Sequence, residues 1–144
     1  MAILIRHYKD TDLSAVMSAW ESANALAHPF LEKGFVDKLR HDIPNIYLPN
    51  ADVWVSEYNG KVVGFIALIE NEVGAIFVDT QFHKLGIGKT LMDKAVSLHP
   101  KLEVDVFTDN AMGRRFYSSY GFTQMLEKTH EETKMQVLRL MSST

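Results

Sequence analysis

Cysteine is absent from the chain, which removes disulfides, thiolate metal ligands and cysteine nucleophiles together. No long hydrophobic run is present either. The longest, Val62 to Ile69, is interrupted by Gly64 and falls far short of a membrane span. The opening residues Met1 to Tyr8 lack the extended apolar stretch of a signal peptide, so a cytoplasmic, membrane-free protein is the expectation. Basic charge is not in excess: the formal net charge is -3, which argues against a nucleic-acid partner. The histidines at positions 7, 28, 41, 83, 99 and 130 form no H-E-x-x-H arrangement, so no metal site is expected. Repeats, linkers and low-complexity tracts are missing, and 144 residues with 47% hydrophobic content suit one domain, 1–144.

What is present is a sequence of short, well-punctuated elements. Ile3 to Tyr8 reads as a strand, and Asp10, Thr11 and Asp12 offer N-cap oxygens to the helix that follows. Leu13, Val16, Met17 and Trp20 recur at three- and four-residue intervals and share a helical face. After a break at His28-Pro29, residues Phe30 to Leu39 predict a second helix ending before Pro44. Val53 to Tyr58 and Lys61 to Glu70 predict a hairpin about Asn59-Gly60, with Asn71-Glu72 turning into a third strand, Val73 to Val78. A helix from Gly86 to His99, a strand from Leu102 to Phe107 and a helix from Asn110 to Tyr120, stopped by Gly121, come next. Phe122 to Glu127 and Met135 to Met141 complete the order as an antiparallel pair.

The chemistry concentrates where the third strand meets its helix, at Gln81-Phe82-His83-Lys84-Leu85-Gly86-Ile87-Gly88-Lys89-Thr90. Two glycines one residue apart permit a sharp turn and close approach of a ligand. The amides beyond them are the unpaired donors of a helix N-terminus, a place that binds phosphate. A nucleoside-triphosphate loop needs glycine where His83 stands, and the dinucleotide fingerprint needs it where Leu91 stands. Both familiar motifs fail by one residue.

The run Ala75 to Asp79, the glycine loop and the later segment Asn110 to Phe122 together resemble the GCN5-related N-acetyltransferases. The central motif of that family is Arg/Gln-x-x-Gly-x-Gly/Ala; its later motif places Asn, Phe-Tyr and Gly-Phe as Asn110, Phe116, Tyr117, Gly121 and Phe122 stand here. The element order agrees as well, so the resemblance spans nearly the whole chain. It implies an α/β (α+β) fold: a mixed, mostly antiparallel sheet of six to seven strands flanked by four helices. His83 departs from the usual Arg or Gln, Gly113 from the usual Ala, and Thr80 from a frequent proline.

The activity implied is direct transfer of an acetyl group from acetyl-CoA to a primary amine, through a ternary complex. The diphosphate is expected on the amides of His83, Lys84, Leu85, Gly86, Ile87, Gly88, Lys89 and Thr90, with Lys84 or Lys89 reaching the adenosine phosphates. The resemblance places the pantetheine arm along Phe77 and Val78, with Asn110 and Phe116 as further contacts and Tyr117 beside the sulfur as proton donor. A phenol of pKa ~10 giving its proton to a thiolate of pKa ~8.5 works uphill by about 1.5 units, or ~2 kcal/mol. The plain alternatives are packing for Tyr117 and Phe116, strand core for Phe77 and Val78, and an N-cap for Asn110.

On the acceptor side, the resemblance assigns the wall to the region of His28 and Phe30, where the imidazole is expected to bind substrate or deprotonate it, the plain alternative being a helix break packed on the core. Glu70 and Glu72 flank a turn, where they read as solvated carboxylates or, alternatively, as groups placed to relay a proton through water. His130-Glu131-Glu132 reads as a solvated loop. A net charge of -3 does not choose among polyamines, lysines and N-termini as acceptor, nor the sequence between monomer and homodimer. The competing class is a non-catalytic acyl-CoA-binding sensor or partner-binding module of the same fold.

Overall fold

The computed structural model describes residues 2–142, and within them seven strands make one sheet. The chain runs β1 (Ile3–His7), α1 (Leu13–Ala27), α2 (Lys33–Asp42), β2 (Asp52–Tyr58), β3 (Lys61–Ile69) and β4 (Glu72–Val78). It continues through α3 (Ile87–Leu98), β5 (Glu103–Phe107), α4 (Ala111–Tyr120), β6 (Phe122–Thr129) and β7 (Gln136–Ser142). The sheet order is β1-β2-β3-β4-β5-β7-β6. Every neighbouring pair is antiparallel except β4 and β5, which run parallel. The mixed sheet with four α-helices is the architecture expected. Among the described residues no helix is long and apolar enough to cross a membrane.

The sheet is covered on both faces, which explains the apolar run of β3. Phe65 and Ala67 point into the core beneath α1 and α2, with Val16, Trp20 and Ile43. Ile66 and Leu68 alternate onto the other face, joined by Val63 across the register shift between β2 and β3, against Ile87, Leu91 and Met92 of α3 and Tyr117 of α4. Asn59 (φ 51°) and Gly60 (φ 85°) both adopt left-handed backbone, the tight hairpin turn their sequence predicts.

Two local expectations differ from the structure, and a third is met. The β3–β4 turn lies one residue early: β3 stops at Ile69, Glu70 takes φ 53°, and Glu72 already belongs to β4. Asp12 does not cap α1; its carboxylate accepts from the Lys9 amide at 2.9 Å and from Arg6 at 2.8 and 2.9 Å, a stronger, charge-assisted arrangement. α2 does stop at Asp42, two residues before Pro44, as expected. Helical backbone then continues as a wider coil, Ile43–Tyr47, with Pro44 in its first turn.

Candidate active site

β4 and β5 pair only at Glu72 with Glu103 and at Val73 with Val104, then part. The register between β3 and β4 steps at the same place, from Ala67–Ala75 to Leu68–Val73, leaving Gly74 as an extra residue in β4. A bulge of this kind adds twist and bends the strand, and here it coincides with the point of divergence. Arg139 of β7 fastens the vertex: its guanidinium reaches Glu72 at 2.8 and 3.0 Å, Glu103 at 2.9 Å and Asp105 at 3.1 Å. Beyond Val73, β4 keeps β3 on one side and, among the described residues, has no strand on the other.

A cleft of about 870 Å³ fills the wedge, bounded by Phe77 and Val78 of β4, Phe107 of β5, Asn24 and His28, Gly86 to Lys89, and Asn110 and Tyr117. Its mouth is the glycine loop. Lys84 (φ 67°) and Gly86 (φ 82°) are left-handed, and they turn the chain into α3 at Ile87. The Thr90 amide closes the first helical bond onto the Gly86 carbonyl at 3.0 Å, and the His83 amide bonds Thr80 at 3.4 Å. The donors left without an acceptor among the described residues are therefore Lys84 to Lys89, two fewer than the sequence suggests. Leu85 and Thr90 lie outside the cleft lining. His83 turns back, its Nε2–H donating to the Val78 carbonyl at 2.7 Å, and so ties the loop to the end of β4. Lys89 pairs with Asp93 at 3.2 Å, while Lys84 makes no ion pair among the described residues.

α4 presents the other side. Asn110 caps it, Oδ1 accepting from the Gly113 amide at 2.9 Å, and Gly121 (φ 117°) ends it. Tyr117 is 8% exposed, packed between the rings of Phe116 and Phe122, each 5.4 Å away. Its hydroxyl has no hydrogen-bond partner among the described residues, and Tyr117 lines the cleft. Burial pushes the phenol well above its ordinary pKa, so it holds its proton at neutral pH. The sequence's offset between Tyr117 and the Phe116–Tyr120 stripe is real: Tyr120 points instead to Asp93 of α3, at 2.5 Å.

The acceptor-side expectations fare differently. His28 lines the cleft, but both ring nitrogens are engaged, by Asn24 at 2.7 Å and Asn110 at 3.1 Å. Burial lowers its pKa to about 4, so the ring is neutral at pH 7 without a lone pair open to an incoming amine. Phe30 supports the wall from behind, packed edge-on against His28 and Phe107. Glu70 stays in its exposed turn outside the lining, and Glu72 is held by Arg139. His130 is not a solvated loop residue: it lines the cleft, Nδ1 accepts from the Thr133 amide at 3.2 Å, and its ring meets Phe107 and Phe35. Asn24, Phe107 and Arg139 were missed by sequence reasoning. Only Asn24, four residues before His28 on one helix face, carried a local signal.

Residues 49–124 match the acetyltransferase (GNAT) domain family. The chain is 32% identical over 120 residues to the peptidyl-lysine N-acetyltransferase YiaC of Escherichia coli K12, covering 83% of this chain and 82% of that protein. The solution structure of apo YjaB from Escherichia coli superposes with a TM-score of 0.86 at 26% identity, over 98% of this chain and 97% of that one. The PaiA N-acetyltransferase of Thermoplasma acidophilum, solved with coenzyme A, shares the fold at TM-score 0.81 and 15% identity over the full length of both chains. The splayed sheet with its glycine turn is that of a GNAT acetyltransferase. This chain belongs to the GNAT family and is an N-acetyltransferase.

Proposed function

We propose that the protein acetylates lysine side chains of proteins or peptides, with acetyl-CoA as donor held in the β4–β5 wedge. One observation carries this reading: the row of unpartnered amides from Lys84 to Lys89, at a loop that lines the same cleft as Tyr117. Amides at a helix start suit a diphosphate. The edge of β4 that β5 leaves unpaired beyond Val73 suits the amides of a pantetheine arm along Phe77 and Val78, although His83 already occupies the Val78 carbonyl, and Asn110 and Phe116 flank the same path. PaiA, solved with coenzyme A, and YiaC, a peptidyl-lysine enzyme, support the donor and the acceptor respectively.

Acetyl-CoA supplies an activated thioester carbonyl. The chain's part is to bind the diphosphate at the loop, keep the arm extended along β4 and hold a proton at the Tyr117 oxygen. As the neutral amine attacks, the C–N bond forms and the C–S bond breaks. The Tyr117 proton passes to the departing sulfur, and the proton shed by the amine nitrogen leaves to solvent, from which Tyr117 is reprotonated. Both substrates are bound at once, with no covalent enzyme intermediate.

Release of CoA thiol in the presence of lysine-containing peptides, with mass spectrometry of the peptides, tests this. Acetylated lysine side chains are the expected product. Tight acetyl-CoA binding without thiol release to any peptide or amine would instead mark a binding module.

A further inference from the structure

His28 ends α1 and stands opposite the first residues of α4, and its contacts fix its chemistry more closely than its position does. The backbone N–H of Gly113 can only donate, so the Asn110 atom it meets at 2.9 Å is the carbonyl oxygen. That turns the amide nitrogen of Asn110 toward Nε2 of His28, 3.1 Å away. A ring nitrogen facing an NH2 group must accept, so Nε2 carries the lone pair and Nδ1 the proton. Nδ1–H then donates to Oδ1 of Asn24 at 2.7 Å. The bonds run one way, from Gly113 through Asn110 and His28 to Asn24.

The arrangement depends on glycine at 113. A β-carbon there would stand 2.4 Å from the Asn110 amide nitrogen and 2.9 Å from its carbonyl carbon. Room for the carboxamide to lie over the first turn of α4 exists because no methyl group fills it. The chain of bonds also crosses the wedge: α1 covers one face of the sheet and Tyr117 of α4 packs on the other. Asn24, His28, Asn110 and Gly113 all line the cleft. The rings of Phe30, Phe77 and Phe107 meet the imidazole edge-on at 5.4 to 6.3 Å and hold it in place.

We propose that His28 is a positioning residue, which as its Nδ1–H tautomer holds the Asn110 carboxamide across the wedge and thereby sets the placement of α4 for acetyl-CoA binding. This rests on the reading that acetyl-CoA occupies the cleft. It assigns His28 no role as proton acceptor.

Three variants of the full chain separate the possibilities. His28→Gln keeps an acceptor near the Nε2 position, whereas His28→Asn keeps only a donor suited to Asn24. Gly113→Ala displaces Asn110 and leaves His28 untouched. Calorimetry is expected to show acetyl-CoA binding within about twofold of wild type for His28→Gln, and about five- to tenfold weaker for His28→Asn and Gly113→Ala, the loss of one hydrogen bond. Equal acetyl-CoA affinity in all three, with only Tm lowered, overturns the proposal, as does a large kcat loss in both His28 variants at unchanged affinity. Wild type that fails to bind acetyl-CoA marks instead the failure of the functional reading. Nitrogen-15 spectra test the geometry without ligand: a neutral Nδ1–H ring at position 28 is expected, and an Nε2–H ring overturns the proposal.

Discussion

A β-carbon at Gly88 would stand 3.2 Å from Cε1 of Phe116, so the first turn of α3 and the middle of α4 touch closely enough that a methyl group there would require the ring to shift by a few tenths of an ångström. The glycine that exposes the loop amides is thus also the floor on which Phe116 rests. In an open helix Gly→Ala gains up to about 1 kcal/mol. At position 88 that gain is opposed by the ring, and Gly88→Val is expected to destabilise by about 1–3 kcal/mol through overpacking. Urea unfolding checks the stability, and weaker acetyl-CoA binding in calorimetry should accompany it.

Tyr117→Phe tests the proton donor cleanly. The phenyl ring keeps its contacts with Phe116 and Phe122, and the hydroxyl removed has no partner to orphan. Stability and acetyl-CoA affinity are expected to stay near wild type, while kcat falls by about a hundredfold or more. Unchanged turnover would remove Tyr117 from the acid role.

His28 makes stability depend on pH. Its pKa is 6.5 in the unfolded reference and about 4 in the folded chain, so between these values the unfolded state binds the extra proton. Stability is therefore fully present above pH ~6.5 and declines as pH falls toward ~4, by up to ~3 kcal/mol from this group. Protonation also places an Nε2–H against the Asn110 amide, breaking the bond across the wedge. Urea unfolding at several pH values should show a shallower acid decline in His28→Gln than in wild type.

Arg139→Leu should loosen the vertex of the wedge. It leaves Glu72, Glu103 and Asp105 without their shared guanidinium, in a cluster that is only partly buried, Arg139 being 18% exposed and Glu72 41%. A loss of about 1–3 kcal/mol is expected, below the full cost of breaking a deeply buried pair. Because the deficit comes partly from repulsion among carboxylates, denaturation in added salt should reduce it.

Much of the scaffold was legible because it is local. Spacing marked α1 and α4, Asn59-Gly60 marked the hairpin, and Gly86 and Gly88 marked the loop that the cleft opens on. The wedge itself was not legible from pattern, since it is set by which residues of β4 and β5 fail to pair, and by a bulge at Gly74 that period-two alternation does not reveal. The pairing of His28 with Asn110 joins residues 82 apart in sequence, and only the folded sheet brings them together. His130 looked solvated because its polar neighbours Glu131 and Glu132 hid a ring that packs on Phe35 and Phe107.

The central claim is that the amides of Lys84 to Lys89 bind the diphosphate of acetyl-CoA. Titrating acetyl-CoA into nitrogen-15-labelled protein, with backbone resonances followed residue by residue, tests it most directly. The largest amide shifts are expected from Lys84 to Lys89, with smaller ones at Phe77, Val78 and Asn110. Saturable binding that leaves the resonances of Lys84 to Lys89 unmoved would contradict it.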